Sequence, residues 1–144
     1  MQRDRPYAQV LEILRHAGLR PTRQRLALAK LLFESGDRHV TAEMLHAEAE
    51  AAGVQVSLAT VYNTLHQFTA AGLLREILAD GTRSYFDTKT CEHHHFFFES
   101  SGRLKDIPAD QVAVTELPPP PEGTDVSRVD VIVRVREKAP TPKR

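Results

Sequence analysis

Four stretches of helical apolar spacing, most of them bracketed by their own start and stop residues, constrain this chain more than anything else in it. Thr22, Thr41 and Ser57 stand directly before three of them. A hydroxyl there can accept from a backbone N–H in the first helical turn, which has no partner within the helix. Gly18, Gly53 and Gly72 stand where helices would end. The first stretch runs from Tyr7 to Ala17, with Val10, Leu11, Leu14 and Ala17 on one stripe. The second follows Pro21 and runs from the Thr22 cap to about Glu34, with Leu26, Ala29, Leu32 and Phe33 facing inward. Gly36-Asp37-Arg38-His39 reads as a connector. The third, capped by Thr41, carries Glu43 in its first turn, where a carboxylate suits the helix dipole, and buries Leu45, Ala49 and Ala52. The fourth runs from Leu58 to about Ala71, with Val61, Leu65 and Phe68 inward.

After Gly72 the period changes. Leu73 to Leu78 and Thr82 to Phe86 flank Asp80-Gly81, a strong hairpin signal. Helices followed by such a hairpin predict a winged helix-turn-helix over residues 1–86. Asp87 to Glu92 is polar and aperiodic and reads as a hinge over 87–92. His94 to Glu99 and Arg103 to Ile107 predict a second hairpin about Ser100-Ser101-Gly102, then a short helix from Pro108 to Leu117 and a stiff Pro-rich loop from Pro118 to Gly123. Asp125 to Arg136 places Val129, Val131, Val133 and Val135 on one face, as a half-buried strand would. The fold class is therefore α+β: a winged helix-turn-helix, then a small α/β dimerisation and ligand-sensing module over 93–137, with 138–144 as a disordered tail. A module of about 50 residues buries little apolar surface by itself, so a homodimer is expected.

Charge distribution points to a partner that net charge does not. The formal net charge is zero, yet Arg15, Arg20, Arg23, Arg25 and Lys30 crowd the stretch from Ile13 to Phe33, which holds no acid. Local positive charge suits phosphate, although such runs are also ordinary solvated faces. The outward face of the fourth helix carries Ala59, Thr60, Tyr62, Asn63, His66 and Gln67 and no carboxylate. A merely solvated helix would carry several Glu and Lys; a face without acids can lie in a major groove beside phosphates. Cys91 is the one cysteine, which excludes an intramolecular disulfide and any Cys-x-x-Cys or four-cysteine structural zinc site. The N-terminus lacks an apolar signal core and no stretch approaches the roughly 18 apolar residues of a bilayer span, so a soluble cytoplasmic protein without membrane contact is expected. No HExxH run, nucleophile–base pattern or glycine-rich phosphate loop argues for an enzyme.

His93-His94-His95 precedes Phe96-Phe97-Phe98-Glu99. Strand side chains alternate, so His93 and His95 would point one way and His94 the other. Imidazole is the commonest metal ligand near neutral pH. A surface cluster of histidines is the ordinary alternative.

Gly18-Leu19-Arg20-Pro21-Thr22-Arg23-Gln24-Arg25, Thr41-Ala42-Glu43, Leu58-Ala59-Thr60-Val61-Tyr62-Asn63-Thr64-Leu65 and the triple histidine follow one another as in the ferric uptake regulator family. The chain resembles its iron response regulator branch in Asn63-Thr64-Leu65, in the aromatics after the histidines and in the absent Cys-x-x-Cys. The resemblance spans about Gln9 to Arg136 and implies a dimeric iron- or haem-responsive regulator of transcription on A·T-rich operator DNA. It places Ala59, Thr60 and Tyr62 on the recognition helix, Arg20 in a narrow minor groove and Arg25 on phosphate. Asn63 replaces an arginine common among relatives. The family's regulatory metal site maps to His39, Asp87, His94 and Phe96, of which Phe96 cannot ligate; water or Glu99 could complete it. A second site maps to His93 and His95, with Asp110 or Glu116 as nearby acids. Imidazoles short of carboxylates favour haem iron at His93, His94 or His95, with haem lowering DNA affinity. Cys91, followed by Glu92, is not the Cys-Pro haem motif of some relatives. The competing expectation is a divalent-metal regulator (Fe2+ or Mn2+), or a peroxide-sensing one, that does not use haem.

Overall fold

A computed structural model of the chain describes residues 7–139. The reading of the extreme N-terminus falls outside those residues, as does most of the expected tail. Its first two residues, Lys138 and Ala139, are described and are exposed. The chain divides into two compact units between Thr90 and Cys91.

The first unit is built as its caps dictate. Helices α1 (Ala8–His16) and α2 (Arg23–Phe33) are followed by a short strand β1 (His39–Val40), then by α3 (Ala42–Ala51), α4 (Leu58–Ala70), β2 (Arg75–Leu78) and β3 (Ser84–Asp87), the three strands forming one sheet. Thr22 accepts from the Arg25 N–H at 3.2 Å, Thr41 from Met44 at 3.1 Å and Ser57 from Thr60 at 3.1 Å. Each hydroxyl thus satisfies one orphan donor of its helix. At the other end of α4, Gly72 takes φ +82°, which lets the Leu73 N–H reach back to the Phe68 carbonyl at 2.9 Å. A side chain at Gly72 would strain that left-handed backbone.

One apolar cluster holds this unit together. Val10, Leu14, Leu28, Ala29, Leu32, Leu45, Ala49, Val61, Leu65, Phe68 and Phe86 are all buried within it. The inward residues expected of α4 are buried, and Thr64 joins them. In α2 the stripe is rotated: Leu28 is fully buried, while Leu26 and Phe33 are only partly covered. In α3 the buried set is Ala42, Leu45 and Ala49, while Ala52 lies beyond the helix and is exposed. The cause is common to both. Apolar spacing allows neighbouring stripes, and packing selects the one that meets the adjoining helices.

Residues 36–40 are more than a connector. His39 and Val40 form β1, paired antiparallel with β3 in the order β1-β3-β2, with His39 opposite Asp87 and Val40 opposite Phe86. A two-residue strand has too few positions to show alternation, so sequence spacing could not reveal it. The β2–β3 hairpin is the expected wing. Asp80 Oδ1 accepts from the Thr82 N–H at 3.0 Å, the Thr82 hydroxyl at 2.9 Å and the Arg83 N–H at 2.9 Å, and so shapes the turn.

The second unit is a sheet in the order β5-β4-β6, made from β4 (His93–Phe98), β5 (Leu104–Pro108) and β6 (Ile132–Val135). β4 pairs antiparallel with β5 and parallel with β6. Two expectations shorten here. The helix expected over 108–117 is only a 3-10 turn, Ala109–Gln111, because Val112 returns to extended backbone at φ −128°, ψ 122°. The strand expected over 125–136 pairs only from Ile132. The Val131 N–H is bonded to the His94 ring at 3.1 Å rather than to a neighbouring main chain. Among the described residues of this unit, the buried apolar side chains are Phe97 and Ile107, whereas Phe98, Leu117, Val126 and Val133 are exposed.

Candidate nucleic-acid interface and metal-binding residues

α4 presents its N-terminal half to solvent. Ala59 and Asn63 are exposed and Thr60 and Tyr62 half-buried, on the face opposite Val61, Leu65 and Phe68. Arg20 lies exposed on the turn between α1 and α2. Arg25 is placed differently from a simple phosphate contact. Its Nη1 donates to the Arg20 carbonyl at 2.8 Å, and its Nε and Nη2 donate to Gln67 Oε1 at 3.3 and 2.9 Å. The planar fork of a guanidinium suits such a clasp. It ties the turn carrying Arg20 to the helix carrying Tyr62.

Tyr62 is itself held. Its hydroxyl donates to Glu43 Oε1 at 2.9 Å, and its ring stacks beside His66, centroids 6.4 Å apart and planes 18° from parallel. The Glu43 carboxyl is held below the usual carboxylate range, first by its own backbone N–H and then by the Tyr62 hydroxyl. The same bond pushes the Tyr62 phenol upward.

Imidazole and carboxylate come together in each unit. In the first, the β1–β3 register sets His39 against Asp87, with Nε2 and Oδ2 3.2 Å apart. Asp87 is 1% exposed, and its Oδ1 accepts from the Lys89 N–H at 2.8 Å. In the second, the β4–β5 register sets His95 opposite Asp106. Asp106 Oδ1 lies 3.4 Å from Nε2 of both His93 and His95, two buried rings whose centroids are 4.5 Å apart.

Hydrogen bonds fix the chemistry of these rings. His93 Nδ1 lies 2.6 Å from the Cys91 carbonyl. A carbonyl only accepts, so Nδ1 carries the proton and a neutral ring turns its Nε2 lone pair toward Asp106. A lone pair facing a carboxylate is repulsive unless a proton or a metal cation lies between them. Donors bound to one divalent cation at about 2.1 Å sit roughly 3.0 to 3.4 Å apart, which these separations match. The residues therefore fit a divalent metal.

His94 lies on the other face of β4, as alternation requires, and its Nδ1 accepts the Val131 N–H. The face that carries Asp106 is that of His93 and His95, the pair expected to share a second site, and not that of His94 and Phe96. Phe96 is half-buried, and Glu99, Asp110 and Glu116 are exposed. Asp106 was missed. The hairpin turns over residues 99–102, which sets Asp106 across from His95; a turn centred on Ser101, as expected from the sequence, would set Ile107 there instead.

The sequence profile of the ferric uptake regulator family matches residues 16–130. The peroxide operon regulator of Bacillus subtilis is 36% identical over 99 residues, covering 69% of this chain and 68% of that relative. The ferric uptake regulation protein of Legionella pneumophila is 36% identical over 95 residues, covering 65% of this chain and 70% of its own. The structure of the ferric uptake regulator from Pseudomonas aeruginosa with manganese superposes with a TM-score of 0.69 at 29% identity, over 90% of this chain and 98% of that one. The helices and wing of the first unit, the imidazole–carboxylate groups and these likenesses agree. This chain belongs to the ferric uptake regulator family, whose members are DNA-binding, dimeric, metal-responsive regulators of transcription rather than enzymes.

Proposed function

We propose that this protein regulates transcription by binding A·T-rich operator DNA as a dimer, with a divalent cation, Fe2+ or Mn2+, as its signal. The observation that carries this reading is Asp106 set between the buried Nε2 atoms of His93 and His95. Hard divalent cations prefer donor sets that include carboxylate oxygen. His39 and Asp87 are the first unit's contribution to metal binding. Arg20, Ala59, Thr60, Tyr62 and Asn63 read the duplex, Arg20 from the minor groove and the others from the major groove.

The test is selection from a randomised duplex library with Mn2+-loaded protein. The expected result is enrichment of A·T-rich duplexes, with binding lost in chelator and in the His95→Ala variant. Equal binding with and without metal would overturn the reading. A peroxide-responsive form of it draws support from the similarity to the Bacillus subtilis regulator. Mass spectrometry after Fe2+ and hydrogen peroxide distinguishes that form by one added oxygen on a ligand histidine.

The haem reading, and with it the iron response regulator branch, draws support from the triplet's composition. Each of its rings is already engaged: His93 and His95 with Asp106, His94 with the Val131 N–H. Axial ligation would have to break one of these arrangements. Haem titration therefore should give no saturable Soret band that disappears in the triple His→Ala variant. Such a band would restore haem as the signal.

A further inference from the structure

The outward face of α4 has no carboxylate of its own, yet one is brought to it by α3. Glu43 stands in the first turn of α3, exposed, and its Oε1 accepts a hydrogen bond from the Tyr62 hydroxyl at 2.9 Å. A carboxylate is costly on a surface that meets phosphates. The charge of Arg83, on the wing, acts favourably on Glu43 and offsets part of that cost. The Tyr62 ring is thus held at its hydroxyl by Glu43 and along its face by His66.

We propose that Glu43 is a positioning residue for base recognition: by accepting a hydrogen bond from the Tyr62 hydroxyl it fixes the ring and leaves the phenol oxygen able only to accept. A phenol has one proton. With that proton committed, Tyr62 can pair with a base that donates in the major groove, adenine N6 or cytosine N4. It cannot donate to guanine O6 or thymine O4. This inference rests on the reading of α4 as the base-reading helix.

The experiment has two arms, run on the full chain. In the free protein, titration of the Tyr62 phenol by NMR should show it ionising later than an ordinary tyrosine. The Glu43–Tyr62 bond persists below the ordinary phenol range and is lost as pH rises through the raised value. Glu43→Ala should return the phenol toward that range. An unmoved titration would mean that the latch is absent. In the second arm, Mn2+-loaded wild type, Glu43→Ala, Glu43→Gln and Tyr62→Phe each select from a randomised duplex library. Wild type should demand adenine or cytosine at one position per half-site, by roughly three- to tenfold, the worth of one hydrogen bond. Glu43→Gln keeps an acceptor and should keep the preference, while Glu43→Ala and Tyr62→Phe should lose it. An unchanged preference in Glu43→Ala overturns the proposal if Tyr62→Phe alters it. If neither variant alters it, and Tyr62→Ala does not either, base reading by Tyr62 fails, and with it the proposal.

Discussion

At the scale of single residues, hydrogen-bond geometry separates roles that charge and position leave merged. Arg25 looks like a phosphate contact in the sequence, yet three of its guanidinium bonds turn inward to Gln67 and the Arg20 carbonyl. Arg25→Met should therefore weaken DNA binding while leaving the slope of log K against log salt nearly unchanged. A direct phosphate contact would instead reduce that slope by about 0.9, which a salt series by fluorescence anisotropy resolves. The Thr41 cap gives a second prediction. Its hydroxyl is the acceptor for the Met44 N–H, so Thr41→Ala should cost about 1 kcal/mol, read by chemical denaturation. His39, Asp87 and the triplet were legible in the sequence as metal-ligating residue types. Which of them face a common carboxylate was not, because that depends on hairpin register, and a shift of one residue exchanges the two faces of a strand.

At the scale of elements, β4 sorts its histidines by face. His93 and His95 share one face with Asp106, while His94 bonds the Val131 N–H on the other. His95→Ala and Asp106→Asn should each lower Mn2+ affinity at least about tenfold, the scale of losing one charge-assisted partner. His94→Ala should leave it within about twofold and instead loosen the join to β6. Calorimetric titration measures the first effect and amide exchange at Val131 the second. Equal losses in His94→Ala and His95→Ala would remove the distinction between the faces. The helices were more legible than the strands. Caps such as Thr22, Thr41 and Ser57 are local signals, whereas β1 exists only through its pairing with a strand over 40 residues later. The valine alternation at 129–135 is a genuine strand preference, but the ladder begins only at Ile132, where β4 supplies a partner.

At the scale of the molecule, the two units differ in how much they bury. The first has a continuous apolar cluster in which Phe68 is fully buried, and Phe68→Ala should cost about 3–5 kcal/mol. The second leaves Phe98, Leu117, Val126 and Val133 exposed, which fits a chain whose family is dimeric. Sedimentation at micromolar concentration should show a dimer, with Phe98→Glu and Val133→Glu shifting it toward monomer if these side chains lie in the interface. Metal binding should also raise the melting temperature. At a free Mn2+ concentration one hundred times the Kd, the native state gains about 2.7 kcal/mol. Thermal melts with and without chelator check this, and Asp106→Asn should shrink the difference.

The sequence by itself determined the four helices of the first unit, the wing and the family resemblance, because caps, glycine stops, turn residues and motif order act locally along the chain. Only the tertiary structure decided that Asp106 joins His93 and His95, that Arg25 clasps Gln67 and that Glu43 holds Tyr62. These partners lie 11 to 42 residues apart, and no periodicity in a sequence records which strand register or helix packing brings such groups within a hydrogen bond of one another.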